Sequence, residues 1–298
     1  MSKFFTISPI GKQSPDLFQT MIPTFTEQGH SFVSSVEEAD IVLIDLHTRV
    51  GEYDQSIISH ALYEKKQIVS FDEWDHGGMS KDPYPYYTIQ QKTFFDTARQ
   101  INTPVIQFVR KMDKTKKYLP NTFPYEKTIQ NTFPITTKEE LCSRPYDFCF
   151  IGNTSPQRKS VVQGLLDGGL MGIVRWTNES GKISHEDWFN IHRSAKLFLS
   201  ADGGGYSDER SYQLITVAGF LRQKNTHLQR FPFSDCINCL EVSEHPTSEE
   251  IEGIKSVLSD PDYLYEIYTE GVAFMKEHYS AEARANYILS VIKKEGII

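Results

Sequence analysis

Apolar runs and helical spacings alternate from the start of the chain. Residues 4–7 form a short β-rich run that breaks at Pro9 and Gly11, and Leu17, Met21, Ile22 and Phe25 then recur at helical spacing until Gly29-His30. Residues 39–45 contain the continuous apolar run Ile41-Val42-Leu43-Ile44, the pattern of a strand covered on both faces of a sheet. Ile57, Ile58, Ala61 and Leu62 give the next helix, residues 67–71 the next strand, and residues 104–109 a further strand after the helix-like stretch 93–100. This alternation predicts a doubly wound parallel sheet in the first 110 residues.

Between residues 110 and 145 the pattern dissolves into a Lys- and Pro-rich connector, and the domain boundary is placed there. The connector repeats Asn-Thr-Phe-Pro at 121–124 and 131–134, a period too short for a repeat architecture and given no structural weight. A second series then begins, with strands at 146–151, 172–176 and 195–200 and helices at 157–166 and 186–194. Residues 220–221 and 239–242 extend this sheet, and three helices, 248–258, 261–275 and 281–294, finish the chain. The expected fold is α/β with two Rossmann-like domains, residues 1–140 and 141–280, and a helix in 281–298 that packs back on the first.

Composition fits this reading, since 298 residues at 39% hydrophobic are enough for two ordinary cores. No run approaches the length of a membrane span, and the opening apolar run is too brief for a signal peptide, so a cytoplasmic protein is expected. Cys142, Cys149, Cys236 and Cys239 are read as free thiols. Cys236-Ile-Asn-Cys239 has zinc-knuckle spacing without a partner pair, so no metal is expected. A net charge of −8 argues against coating nucleic acid through the overall field, while leaving room for a local basic groove.

Two strand ends carry the candidate chemistry. Residues 148–159 run from a buried strand into Gly152, Asn153, Thr154, Ser155 and Pro156 and then a helix, a turn that offers backbone N–H groups to an anion. Arg158 and Lys159 in the first helical turn oppose the helix dipole, a cost that is understandable if a phosphate sits between them. Residues 198–210 end a second strand in Gly203-Gly204-Gly205-Tyr206, and a helix with Arg210 and Gln213 follows; glycines after a buried strand let the backbone approach a ligand. Neither half has Gly-x-Gly-x-x-Gly after its first strand, which weakens a dehydrogenase reading.

The Ile-Gly-Asn-x-Ser-Pro-x-Arg segment, the later strand, the Arg-x-Tyr spacing from Arg210 and the Glu-His-Tyr-Ser stretch at 277–280 resemble the glycosyltransferase-like proteins of the CgeB spore-maturation type, of the GT-B superfamily. The resemblance covers roughly the C-terminal half. It implies two domains facing a central cleft, with a nucleoside diphosphate sugar on the C-terminal domain and the acceptor on the N-terminal one. It further implies a hexosyl- or pentosyltransferase with a UDP- or GDP-linked donor as co-substrate and no other cofactor. On this reading Gly152, Asn153, Ser155, Arg158, Lys159, Gly204, Tyr206, Arg210 and Gln213 form the donor site. Relatives commonly carry a Glu for the ribose where this chain has Gln213, which leaves open a nucleotide-sugar binder that has lost catalysis.

In the first half, Ser70-Phe-Asp-Glu-Trp-Asp-His-Gly-Gly follows a strand end, and Asp72, Asp75 and His76, with Glu73, are candidates for the general base that an inverting transfer requires. Asp45-Leu46-His47 ends the neighbouring strand in the same way. The alternative for all of them is capping and turn formation. Arg110, Lys111, Lys114, Lys116 and Lys117 place five cations in eight residues, usually a solvated face. Beside an acceptor cleft they would track a phosphate backbone, so a hydroxymethylated base in duplex DNA stands with a glycan or small molecule as the acceptor. Neither the stereochemistry nor the oligomeric state follows from the sequence.

Overall fold

The computed structural model describes residues 1–7, 18–19, 21–46, 55–72, 96–98, 100–101, 103, 105–109, 112–113, 121–124, 134–181, 183–201, 214–224, 227–228 and 233–298. They belong to two compact units: unit 1 is Met1–Lys127, His227–Arg230 and Ala281–Ile298, and unit 2 is Thr128–Thr226 and Phe231–Ser280.

Unit 1 contains β1 (Lys3–Ile7), α1 (Ile22–Glu27), β2 (Ser31–Phe32), β3 (Ile41–Leu46), α2 (Gln55–Tyr63), β4 (Gln67–Asp72), β5 (Val105–Val109), β6 (Met112–Asp113) and β7 (Thr122–Pro124). Among the described residues, six strands form one parallel sheet in the order β2-β1-β3-β4-β5-β7. The β3 sequence explains the two covered faces. Ile41 and Leu43 join Phe4, Phe25, Phe71 and Phe108 on one side, while Val42 and Ile44 join Ile58, Ala61 and Leu62 on the other. The first of these cores is completed by the last helix of the chain, Ala281–Lys294, through Ala285, Ile288 and Ile292, and Tyr287 meets Phe108 edge-on at 5.9 Å.

The connector is more regular than its composition suggests. The first Asn-Thr-Phe-Pro copy supplies β7, which pairs with β5 through Gln107 and Thr122. Pro124 lacks an N–H, and a strand at the sheet edge tolerates that loss. β6 pairs antiparallel with β12 (His227–Leu228), so the chain returns to unit 1 there for four residues, His227–Arg230. Apart from Pro134, the second copy of the repeat lies outside the described residues.

Unit 2 contains α3 (Lys138–Cys142), β8 (Tyr146–Gly152), α4 (Pro156–Asp167), β9 (Gly172–Trp176), α5 (Thr177–Ser180), α6 (His185–Arg193), β10 (Ala195–Ser200), β11 (Gly219–Gln223), β13 (Leu240–Val242), α7 (Ser248–Ser259) and α8 (Pro261–Tyr279). Its described strands form a parallel sheet in the order β13-β11-β10-β8-β9. Phe148, Phe150, Leu197, Leu199 and Leu221 share one core with Val161 and Leu165 of α4 and Ile251 of α7. Cys149, Ile151, Phe198 and Phe220 share the opposite one with Trp188, Phe233 and Met275. Gly164 lets α4 approach the segment before α7, where an added Cβ would lie 2.5 Å from Pro246 Cδ. The thiols of Cys142, Cys149, Cys236 and Cys239 are free.

A buried brace fixes the far end of the second core. The Tyr268 hydroxyl accepts from Thr136 N–H at 2.8 Å and donates to the Thr216 carbonyl at 2.7 Å, while Arg144 donates to the Ala195 carbonyl and to Thr136 Oγ1. This holds residues 214–218, directly after the glycine-rich segment, against α8 and the start of β10.

Strand order decides where a ligand fits each unit. In unit 2 the chain lays β9 on one side of β8 and then β10 on the other; in unit 1 it lays β2 on one side of β1 and then β3 on the other. Connections leave in opposite directions at such a reversal, and a crevice opens beyond the carboxyl ends of the two strands. The crevices lie at β8/β10 and at β1/β3.

Candidate functional site

At the β8/β10 reversal the sequence builds a braced turn. β8 ends at Gly152, where an added Cβ would approach the Phe150 ring to 2.9 Å. Ser155 then caps α4, its Oγ accepting from Arg158 N–H at 3.2 Å, and Pro156 opens the helix. Arg158 turns back across the reversal. Its Nε donates to the carbonyl of Ala201, directly after β10, at 2.9 Å, and its Nη1 donates to the carbonyl of Asn153 at 3.0 Å. The guanidinium lies over the Phe150 ring, 5.9 Å from its centroid. One half-buried side chain therefore ties together the two strand ends that border the crevice.

The turn is also tied to its other neighbour. Asn153 Oδ1 accepts from Thr177 Oγ1 at 2.6 Å, Thr154 N–H donates to Asn178 Oδ1 at 2.9 Å, and Asn178 Nδ2 donates to Thr154 Oγ1. Lys159 Nζ pairs with Glu179 at 3.2 Å. The N–H groups of Thr154, Arg158 and Lys159 are thus engaged within the protein, the last with the Ser155 carbonyl at 2.9 Å. Three N–H groups at this turn are taken up internally, and the Arg158 and Lys159 side chains stand beside it.

No family model matches the sequence, and no curated protein matches it. Solved structures do resemble it. An α-glucosyltransferase in complex with UDP and a 13-mer DNA containing a HMU base aligns with a TM-score of 0.57 at 11% identity, over 98% of this chain and 99% of that one. HepE of Anabaena in complex with UDP aligns at 0.55 and 9% identity, over 99% of this chain and 100% of that one. TarM aligns at 0.52 and 11% identity over 91% of this chain, which spans 57% of TarM's length. The fold is that of the GT-B glycosyltransferases.

Within the GT-B fold, the structure brings Gly152, Asn153, Ser155, Arg158 and Lys159 to one carboxyl edge of unit 2. Gly204, Tyr206, Arg210 and Gln213 lie outside the described residues, as do Glu73, Asp75 and His76. Asp72 is the last residue of β4, in register with Leu46 and Val109. The crevice of unit 1 is bordered by β1 and β3, so Asp45, fully buried near the end of β3, stands one strand closer to it than Asp72.

Sequence reasoning missed Thr177, Asn178 and Glu179, although polar residues directly after a strand were a usable signal. It also missed the edge beside β11 and β13. There Lys224 Nζ pairs with Glu250 at 2.7 Å, and Ser243 Oγ donates to the same carboxylate. Burial pushes the Glu250 carboxyl up, but bonds from Lys224, Thr247 N–H and Ser243 outweigh it and hold the group at about 2. His245 Nδ1 lies 2.6 Å from Ser160 Oγ, which joins the same segment to α4. Among the described residues no cluster of His, Cys, Asp or Glu is placed to hold a metal ion, and no helix is long and apolar enough to cross a membrane. A cavity of about 410 Å³ beside Ser2, His30 and Lys293 lies at the amino end of β1, away from the unit 1 crevice.

Proposed function

We propose that the chain is a glycosyltransferase of the CgeB type that moves a sugar from a UDP- or GDP-linked donor to a hydroxyl acceptor. The observation that carries this reading is Arg158 bridging the β8/β10 crevice in a fold whose solved neighbours include proteins in complex with UDP. Arg158 and Lys159 stabilise the charge that develops on the leaving diphosphate, and Asn153 and Ser155 shape the turn around it. Gly204, Tyr206, Arg210 and Gln213 complete the donor site, and Asp72, Asp75 or His76 takes the acceptor proton. The chemistry needs no metal, because fixed cations do that work, and the protein acts in the cytoplasm.

For the acceptor, a hydroxymethylated base in duplex DNA is favoured over a glycan or small molecule by the neighbour in complex with DNA and by the basic run from Arg110 to Lys117. Gln213, which lacks the carboxylate charge expected toward the ribose, favours the second reading, a binder of nucleotide sugars without turnover.

Release of free UDP or GDP from a donor panel by the purified protein tests the main reading. No release from any common donor, with or without acceptor, refutes catalysis, and saturable binding without release establishes the second reading. A mass shift on hydroxymethylcytosine duplex identifies the DNA acceptor, whereas weak, salt-insensitive DNA binding counts against it.

A further inference from the structure

We propose that Glu179 is a built-in counter-ion of Lys159 that the donor diphosphate must displace, so that Glu179 sets how tightly the nucleotide is held. The inference rests on the nucleotide-sugar reading above. β8 and β9 end level with each other, Gly152 being in register with Trp176. The residues that follow the two strands are therefore neighbours, and they are joined one by one. Thr177 Oγ1 donates to Asn153 Oδ1, Asn178 exchanges two hydrogen bonds with Thr154, and Glu179 pairs with Lys159 at 3.2 Å.

The two cations of the turn are held in different ways. Arg158 spans the carbonyls of Ala201 and Asn153 and so is committed to the main chain on the β10 side of β8. Lys159 reaches to the β9 side, where its partner is a carboxylate. The Lys159 and Glu179 side chains are 55% and 52% exposed, and an ion pair that open to water contributes little to folding. It is cheap to break. The carboxylate nevertheless stays close, because the bonds made by Thr177 and Asn178 pin the start of α5 to the turn. Glu179 thus offers Lys159 what a phosphate would offer it, a fixed negative charge beside the first turn of α4, where the helix dipole favours one. A diphosphate at this turn competes with that charge for the ammonium. The flexible stem of Lys159 can change partners, whereas the guanidinium of Arg158 would have to give up two carbonyls to do so. Competition of this kind weakens the hold on the nucleoside diphosphate left after transfer and hastens its release.

Calorimetric titration of the purified full chain with UDP and with GDP tests this, because the expected change has the opposite sign to that of a lost structural contact. Glu179→Gln should bind the diphosphate about three- to fivefold more tightly than wild type. Lys159→Met should weaken it by about tenfold. Adding Glu179→Gln to Lys159→Met should change the affinity by less than about twofold, since the carboxylate acts through the ammonium. An unchanged or weakened diphosphate in Glu179→Gln overturns the proposal. So does a gain that persists in full without Lys159, which indicates a general field effect, and so does a Lys159→Met protein with wild-type affinity. If Glu179→Gln does not fold, Glu179→Asp decides, because its shorter side chain draws the carboxylate back: tighter binding supports the role, and unchanged or weaker binding refutes it. A wild-type protein that binds neither UDP nor GDP instead removes the nucleotide-sugar reading, and this inference with it.

Discussion

Arg158→Met separates the brace from the charge. The substitution keeps an aliphatic stem over Phe150 but removes the bonds to the Ala201 carbonyl at 2.9 Å and the Asn153 carbonyl at 3.0 Å. Hydrogen bonds from an ionised donor contribute about 1.5–3 kcal/mol each, and a half-buried group belongs at the low end, so the pair is worth about 3 kcal/mol. Removing a cation from the first turn of α4 returns about 0.5 kcal/mol, because the helix dipole opposes it there. The net loss is about 2.5 kcal/mol, which for a unit of this size lowers the melting temperature by about 5–10 °C. Thermal unfolding with and without saturating UDP or GDP measures both halves of the argument: the unliganded transition should fall, and the further rise given by nucleotide should shrink. Arg158→Lys should recover about half of the unliganded loss, since one ammonium cannot span both carbonyls. An Arg158→Met protein that melts within about 1 °C of wild type, with an undiminished response to nucleotide, refutes the bridge.

Two further outcomes follow from the packing around the same edge. Gly164→Ala would normally gain about 1 kcal/mol in a helix interior, but here the new Cβ meets the rigid Pro246 ring at 2.5 Å, so denaturant unfolding should show a net loss of about 1–2 kcal/mol; a stabilised variant contradicts the packing. Glu250 is held at about 2, below its ordinary 4.5. Its folded-state pKa is depressed, so its contribution, up to roughly 2–3 kcal/mol, is fully present above pH 4.5 and is lost as pH falls toward 2. Glu250→Gln should flatten the stability profile in that window, and an unchanged slope between pH 2 and 4.5 excludes the role.

Local signals in the sequence located the elements well where burial is two-sided. β3, β8 and β10 are covered on both faces, so their residues form apolar runs, and Gly152, Pro156 and the Ser155 cap mark where the chain turns. β7 escaped because Pro124 reads as a breaker unless the strand is known to lie at an edge. Strand order is a non-local property, and with it went the positions of the two crevices, hence the standing of Asp45 relative to Asp72. The sequence shows that Arg158 carries a charge in a helix's first turn. It does not show that two main-chain carbonyls, one of them 43 residues away, take up its N–H groups.

Unit 1 is assembled from three separate stretches of chain, and that has a consequence for biosynthesis. A ribosome completes residues 128–280 before it makes the helix that lies over Phe4, Phe71 and Phe108. The nascent chain therefore carries a partly uncovered aromatic sheet face, with Phe18, Met21 and Phe25 over one portion of it, for the whole time its second unit is being made. Unit 2 has the means to finish folding first, and the half that begins the chain is the half that waits.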